Sequence, residues 1–182
     1  MKRSLFLAIV ATIALVSVPS VSQAQLGMLK PFQLGIAGGA AQPMSDLSDG
    51  ASTGFNGTVA MAINVPFIPV GLRVDGAYNQ FGGKDAAAGT KLHIMSATGN
   101  LVFKLPSVGI SPYLIGGAGL YMPTVTAPGL ASSTENHFGW NAGAGISLPV
   151  AFAKTFIEAR YNNVSVDGGS LKFVPVTFGI MF

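Results

Sequence analysis

The sequence predicts an all-β fold: a closed eight-stranded antiparallel transmembrane up-and-down β-barrel. Of its 182 residues, 49% are hydrophobic and only 9% are charged, whereas a soluble domain carries about 25% charged residues. Apolar residues alternate with polar or small ones at period two, which is typical of strands with one apolar face. The connections between these segments alternate in length. Together these three observations favour strands that face lipid on one side.

The amino terminus has the pattern of a secretory signal over residues 1–24. Lys2 and Arg3 form a basic start, residues 5–18 are apolar, and residues 22–24 are Ser-Gln-Ala. A basic start, an apolar stretch and a small-residue end are the three parts of a cleavable export signal. We therefore expect export from the cytoplasm.

Cleavage is predicted between Ala24 and Gln25, which leaves one barrel domain at residues 25–182. The alternative is a retained membrane helix. Thr12 and Pro19 interrupt an apolar stretch already shorter than the roughly 20 residues that a spanning helix needs, so we favour the signal peptide. After residue 24, Gly, Asn, Asp, Lys or Pro recurs every few residues. This excludes a helical membrane bundle.

Charge and cysteine content exclude several classes of protein. Removal of Lys2 and Arg3 reduces the 10 basic residues to 8, against 7 acidic ones, so the mature charge is +1. Such a balance indicates no nucleic-acid partner. The chain has no cysteine, which excludes a lipoprotein anchor, a disulfide framework and a thiolate metal site. Membrane attachment must come from the fold.

Five segments show the alternation clearly. In residues 55–65, Phe55, Val59 and Met61 share the side predicted to face lipid, and Asn56 and Asn64 share the other. The remaining four alternate in the same way, although Phe156 shares the inner face with Glu158, and the inner face of the last segment, which includes Phe173, is less polar than the others. The clear segments are residues 55–65, 70–78, 138–148, 155–161 and 171–182.

Three further strands are predicted at residues 31–41, 91–104 and 111–122, where glycine and alanine leave the facing open. Eight strands in about 158 mature residues agree with strands of about 9 to 11 residues and their connections. Short links are expected to be periplasmic turns and long links extracellular loops. The short links are residues 66–69, 105–110 and 149–154; the long ones are 42–54, 80–90, 123–137 and 162–170.

The alternative fold is a soluble β-sandwich or lipocalin-like barrel in the periplasm. Such a fold would turn the apolar faces inward. Its surface would then consist of Gly, Ala, Ser and Asn with almost no Lys or Glu. This contrast with usual soluble composition favours the transmembrane barrel.

One set of charged residues is predicted to meet inside the barrel. Arg73 and Asp75 lie on the inward face of the third strand, and Glu158 and Arg160 on that of the seventh. An eight-stranded barrel is only wide enough for side chains to fill it, so we expect an ion-pair network that plugs the lumen. A gated path for small ions, opened when the pairs rearrange, is the alternative.

No catalytic, metal or cofactor site is predicted. His93 and His137 are the only histidines and lie near the loop ends of their strands, too few for a metal site. Ser132, Ser133 and Glu135 cluster near His137, which we interpret as a solvated loop. The glycines of residues 116–119 lack the later Gly and the Lys of nucleotide-binding motifs; they instead leave room for inner side chains or keep the wall thin.

Three segments resemble the outer-membrane β-barrel domain family, which is related to the small OmpA- and OmpX-like barrels. They are PYLIGGAGLY at 112–121, FIEARY at 156–161 and TFGIMF at 177–182. The resemblance spans the mature chain and implies the outer membrane of a Gram-negative-type bacterium. It also implies that the carboxyl-terminal strand is recognised by the barrel-assembly machinery. The residues that fit this signal are Val176, Phe178, Ile180 and Phe182.

Fold does not determine function in this family. The leading hypothesis is a non-enzymatic barrel with a role in envelope integrity or in surface interaction through four longer loops. A narrow porin-like channel is the alternative, and a lipid-modifying outer-membrane enzyme is a third class. The expected partners are outer-membrane lipid and lipopolysaccharide, the assembly machinery, and an extracellular ligand at loops such as 46–53 or 127–136.

Overall fold

The computed structural model describes residues 32–64, 68–84, 89–126, 133–150 and 153–182. The predicted signal segment, with its cleavage between Ala24 and Gln25, lies outside the described residues and stays a prediction.

Strands dominate the described chain, with one short helix between the first two. No helix within the described ranges is long and apolar enough to cross a membrane. The elements are β1 (Phe32–Met44), α1 (Asp46–Gly50), β2 (Gly54–Asn64), β3 (Val70–Gly82), β4 (Lys91–Lys104), β5 (Ser111–Thr126), β6 (Ser133–Thr134), β7 (His137–Val150), β8 (Ala153–Val166) and β9 (Gly169–Met181).

The eight long strands form a closed barrel. Each pairs antiparallel with its neighbours along the chain, and β1 also pairs with β9. At this closure Leu34 and Phe182 exchange two backbone hydrogen bonds of 2.9 and 2.8 Å. The two-residue β6 pairs only with β5, outside the barrel wall. Closure leaves no strand edge unpaired, and the predicted eight-stranded antiparallel barrel is confirmed.

The outer wall is apolar and the inner wall is largely polar. Val59 and Phe138 are each 61% exposed, whereas the inward Asn56 and Asp75 are 5% and 2% exposed. All five clear segments have the predicted facing. The structure also gives the facing of the other three strands. Their outward residues include Phe32, Leu34 and Ile36 on β1, Met95, Leu101 and Phe103 on β4, and Leu114 and Leu120 on β5.

Aromatic side chains form a belt near each end of the outer wall. Phe32, Phe103 and Phe182 lie at the short-turn end, where residues 65–69, 105–110 and 151–152 connect the strands. Phe55 and Trp140 lie near the opposite end, called the loop end, and Trp140 packs on Tyr161 there with a 5.6 Å centroid distance. Two such girdles flank the lipid-facing band of outer-membrane barrels.

The spacing of these belts matches a membrane. Phe55 pairs with Ala40, eight residues beyond Phe32 on β1. At about 3.3 Å per residue this is about 26 Å along the strand, or about 20 Å in height for a tilt of about 40°. The apolar band of an outer-membrane barrel is about 25 Å tall.

The prediction of a fourth long loop at residues 162–170 is wrong. β8 continues to Val166 and β9 begins at Gly169, so only Asp167 and Gly168 form the turn. Gly168 has a φ of 81°, which glycine adopts without strain. The polar residues here suggested a loop, but they continue the strand period, and Val164 is fully buried inside the barrel. Three longer connections therefore remain at the loop end: residues 45–53, 83–90 and 127–136.

Candidate functional site: the barrel lumen

The lumen network consists of Arg73, Asp75, Glu158 and Arg160, which meet across the barrel. Arg73 Nη2 donates to Glu158 Oε1 at 2.7 Å, joining β3 to β8. Arg160 Nη1 of β8 donates to Asp75 Oδ2 of β3 at 2.8 Å, so each strand supplies one arginine and one carboxylate to the contact. Arg73 Nε also reaches Asp75 Oδ2 at 3.1 Å, and Arg160 binds Glu158 on its own strand. The structure thus brings the four residues together with their charges balanced.

Neutral side chains surround these charges. Tyr113 donates its hydroxyl to Glu158 Oε2 at 2.8 Å, and Asn100 Nδ2 donates to Asp75 Oδ2 at 2.9 Å. Asn141 Nδ2 donates to Asn100 Oδ1 at 3.0 Å. The sequence interpretation missed Tyr113 and Asn100 because they lie on β5 and β4, whose facing it left open. Asn141 was assigned to the inner face, but its partner was not foreseen.

Apolar side chains fill the lumen at the loop end. Phe81 and Phe173 pack edge to face with a 5.6 Å centroid distance, and Leu47 of α1 packs against their cluster. Such a dry layer adds a second barrier beyond the lumen network. We call this cluster the apolar plug: Ala41, Ala51, Phe81, Ile94, Tyr121, Val164 and Phe173.

Between the lumen network and the apolar plug the remaining space is small. Asn56 Nδ2 donates to Asn79 Oδ1 at 2.7 Å, and Tyr121 donates to Asn162 Oδ1 at 2.9 Å. The cavity in this layer has a volume of about 30 Å³, which holds about two or three waters at about 10 to 15 Å³ each.

Inward glycines make room for inward aromatic rings. Tyr113 pairs in register with Gly145, and Phe156 pairs with Gly179. A Cβ added at either glycine would collide with the ring opposite it. Gly117 likewise leaves room for the side chain of Asn100. This agrees with the interpretation of the glycines at 116–119 as spacers.

The short-turn end of the lumen is open and cationic. A cavity of about 160 Å³ there has Lys104, Lys154, Gln33 and Asn64 on its wall, while Tyr113 contributes to its floor. Lys104 donates to Asn64 Oδ1, and Asn64 Nδ2 donates to Gln33 Oε1 at 3.0 Å. We call this cavity the cationic cup; the sequence interpretation did not foresee it.

The two histidines lie apart. The outward His93 shares a hydrogen bond of 2.5 Å with the Tyr78 hydroxyl, and His137 Nε2 lies 3.8 Å from Glu135 Oε2. Ser132 and the side chain of Ser133 lie outside the described residues. In the part of the chain that the structure describes, no group of three or more His, Asp or Glu side chains is placed to hold a metal ion.

A closed barrel with an apolar belted wall and a charged lumen defines an integral outer-membrane protein of the β-barrel type. The chain belongs to the outer membrane protein beta-barrel domain family, whose model matches residues 8–182. It is accordingly a protein of the Gram-negative-type outer membrane, and its outer wall lies among outer-membrane lipid.

Solved structures share the fold at low sequence identity. Neisserial surface protein A (NspA) is 18% identical with a TM-score of 0.69, covering 84% of this chain and 96% of its own. Ail of Yersinia pestis is 19% identical with a TM-score of 0.53, covering 84% and 100%; it has also been solved with the heparin analogue sucrose octasulfate. The amino-terminal barrel of Pseudomonas aeruginosa OprF is 12% identical with a TM-score of 0.51, covering 82% and 97%. No curated protein sequence matches the chain.

Proposed function

We propose that the protein is a non-conducting, non-enzymatic structural barrel of the outer membrane that contributes to envelope integrity and presents three loops to the exterior. The observation that carries this proposal is the closure of the lumen at two heights, by the lumen network and by the apolar plug. Ions would have to displace both layers to pass.

The channel hypothesis is less well supported by this geometry. A conducting lumen needs continuous hydrated space, whereas the cavity next to the lumen network has a volume of only about 30 Å³. Transfer of an ion through a layer of Phe and Ile side chains also costs several kcal/mol because no polar group replaces its water. We therefore favour a structural role for the charged residues over a gating role.

The enzyme hypothesis would need a base within hydrogen-bond reach of a nucleophile or substrate at the outer end. Among the described residues, His137 and Glu135 form the only histidine–carboxylate pair, and their 3.8 Å separation is too long for a hydrogen bond. Glu135 is also largely exposed. This pair resembles a solvated loop contact.

Any extracellular ligand should match the charge of the loop end. That end carries five acidic residues against three lysines, a net charge of −2. A sulfated ligand such as the one bound by Ail would meet a net charge of its own sign there. A neutral or cationic partner fits the loops better. The acidic residues are Asp46, Asp49, Asp85, Glu135 and Asp167; the lysines are Lys84, Lys91 and Lys172.

Planar-bilayer recording tests the proposal. The purified protein should show no discrete conductance steps, and deletion of residues 127–136 should leave that result unchanged because the barriers lie in the lumen. Heat-modifiable migration on a gel would establish that both proteins are folded. Reproducible steps from the intact barrel, altered by Phe81→Ala, would contradict it and support the channel.

We also propose that the last strand carries the assembly signal. Val176, Phe178, Ile180 and Phe182 all point outward and are 37% to 58% exposed. They therefore form a continuous row of apolar side chains that a recognition partner can contact before the barrel inserts into the membrane.

Phe182→Ala should reduce the amount of protein in the outer membrane several-fold in cells, whereas Phe182→Tyr should retain it. Backbone pairing of Phe182 with Leu34 is available to both variants, so refolding into pure lipid vesicles should proceed equally. A loss in vesicles as large as the loss in cells would mean that Phe182 acts through stability and not as a signal.

A further inference from the structure

The barrel is electrically polarised along its axis. Two of the seven acidic residues, Asp75 and Glu158, belong to the lumen network, and the other five lie at the loop end. The short-turn end has Lys104 and Lys154, and the sequence places no acidic residue in its connections 65–69, 105–110 and 151–152 or in residues 25–31. Among its side chains, that end therefore has positive charges and no carboxylate to balance them.

Lys104 and Lys154 both contribute to the cationic cup and repel each other there. Neither forms an ion pair within the described ranges, where Asp75 and Glu158 are instead engaged by Arg73 and Arg160. Lys104 is held by the neutral Asn64. Two like charges in a partly enclosed space raise the free energy unless an anion is present.

The polar groups of the cup are suited to an oxyanion. The two ammonium groups have six N–H donors, one of which Lys104 gives to Asn64, and the hydroxyl of Ser111 and the amide of Gln33 add neutral donors. No carboxylate lines the cavity. Arg73 lines it as well, but its charge is neutralised by Asp75 and Glu158. Lysine binds phosphoryl oxygens as a point charge, and several acceptor oxygens on one small group can engage both lysines.

We propose that the cationic cup is a binding site for a phosphoryl group that enters from the periplasmic side. Two sources share this chemistry: a soluble phosphate compound, and the phosphate of an anionic lipid in the inner leaflet. The site is independent of the lumen barriers and requires no passage through the barrel.

Binding of inorganic phosphate to the folded protein in maltoside micelles tests the soluble source by NMR or calorimetric titration, with sodium chloride at equal ionic strength as the reference. Lys104→Gln and Lys154→Gln should each weaken binding by at least about tenfold, since each removes a charge-assisted hydrogen bond. Lys172→Gln, which makes the same charge change at the loop end, should bind as the unaltered protein does.

Nanodiscs of phosphatidylglycerol or phosphatidylcholine test the lipid source through NMR shifts of residues around the cup. Shifts specific to phosphatidylglycerol and lost in Lys104→Gln would assign the site to lipid, and phosphate binding in micelles would assign it to a soluble compound. The proposal is overturned if neither ligand acts at the cup, or if Lys172→Gln weakens binding as much as Lys104→Gln does.

Discussion

Arg160→Ala should lower the free energy of unfolding in lipid or micelles by about 3 to 5 kcal/mol, the usual cost of removing one partner from a buried ion pair. Arg160 donates to both Asp75 and Glu158, which are 2% and 3% exposed. Without it, two carboxylates share the single Arg73 guanidinium. Poorly hydrated carboxylates cannot recover that loss from solvent. Urea unfolding followed by tryptophan fluorescence of Trp140 gives the measurement.

Lys84→Ala is the matched control, because it also removes one basic side chain. Lys84 lies at the loop end and donates to the Ser48 carbonyl at 3.2 Å in an exposed contact. Its loss should have little effect, as for most surface changes. Equal losses for Arg160→Ala and Lys84→Ala would show that the lumen network does not stabilise the barrel, and the gating interpretation would regain support.

Val59→Arg should destabilise the inserted barrel by about 2 to 4 kcal/mol, the cost of an arginine on the lipid face near the bilayer midplane. Val59 lies at the centre of β2, pairs with Ile36 and Gly76, and points outward between the two aromatic belts. A charged group at this height leaves water without gaining a partner. Unfolding equilibria in lipid vesicles measure the difference.

Val108→Arg provides the comparison for this prediction. Val108 is fully exposed in the connection between β4 and β5, beyond the aromatic belt. Arginine there stays hydrated, so no measurable loss is expected. If Val59→Arg were as harmless as Val108→Arg, the outer wall would not face lipid and the soluble barrel would become the better account.

The alternation of side chains made most of the wall predictable. In β2, β3, β7, β8 and β9, most bulky apolar residues lie at alternate positions and so share one face of the strand. Because the side-chain period is two, this face must point to lipid if Arg73 and Glu158 are to stay out of it. In β4 and β5, by contrast, Gly99 and Ala118 pair outward while Gly117 and Gly119 face inward. Residues without a large side chain carry little information about facing.

Of the candidate sites, one could also be predicted from the sequence and another could not. The lumen network could be anticipated because its residues form two pairs, Arg73 with Asp75 and Glu158 with Arg160. The members of each pair are two residues apart, on strands whose facing is clear. The apolar plug could not, because Phe81 lay in a segment predicted as a loop, and Phe173, although placed on the inner face, gave no sign of its partner. Their packing depends on the strands continuing beyond the aromatic belt, where lipid no longer selects the outer residues.

The sequence by itself determined that this chain is a barrel with lipid outside and ionic groups inside, since composition and a period of two depend only on local residue order. The tertiary structure alone decided what stands opposite each inner side chain. Strand register and barrel closure bring Lys104 to Lys154 and Phe81 to Phe173, and contacts between strands far apart in the chain leave no local pattern in the sequence.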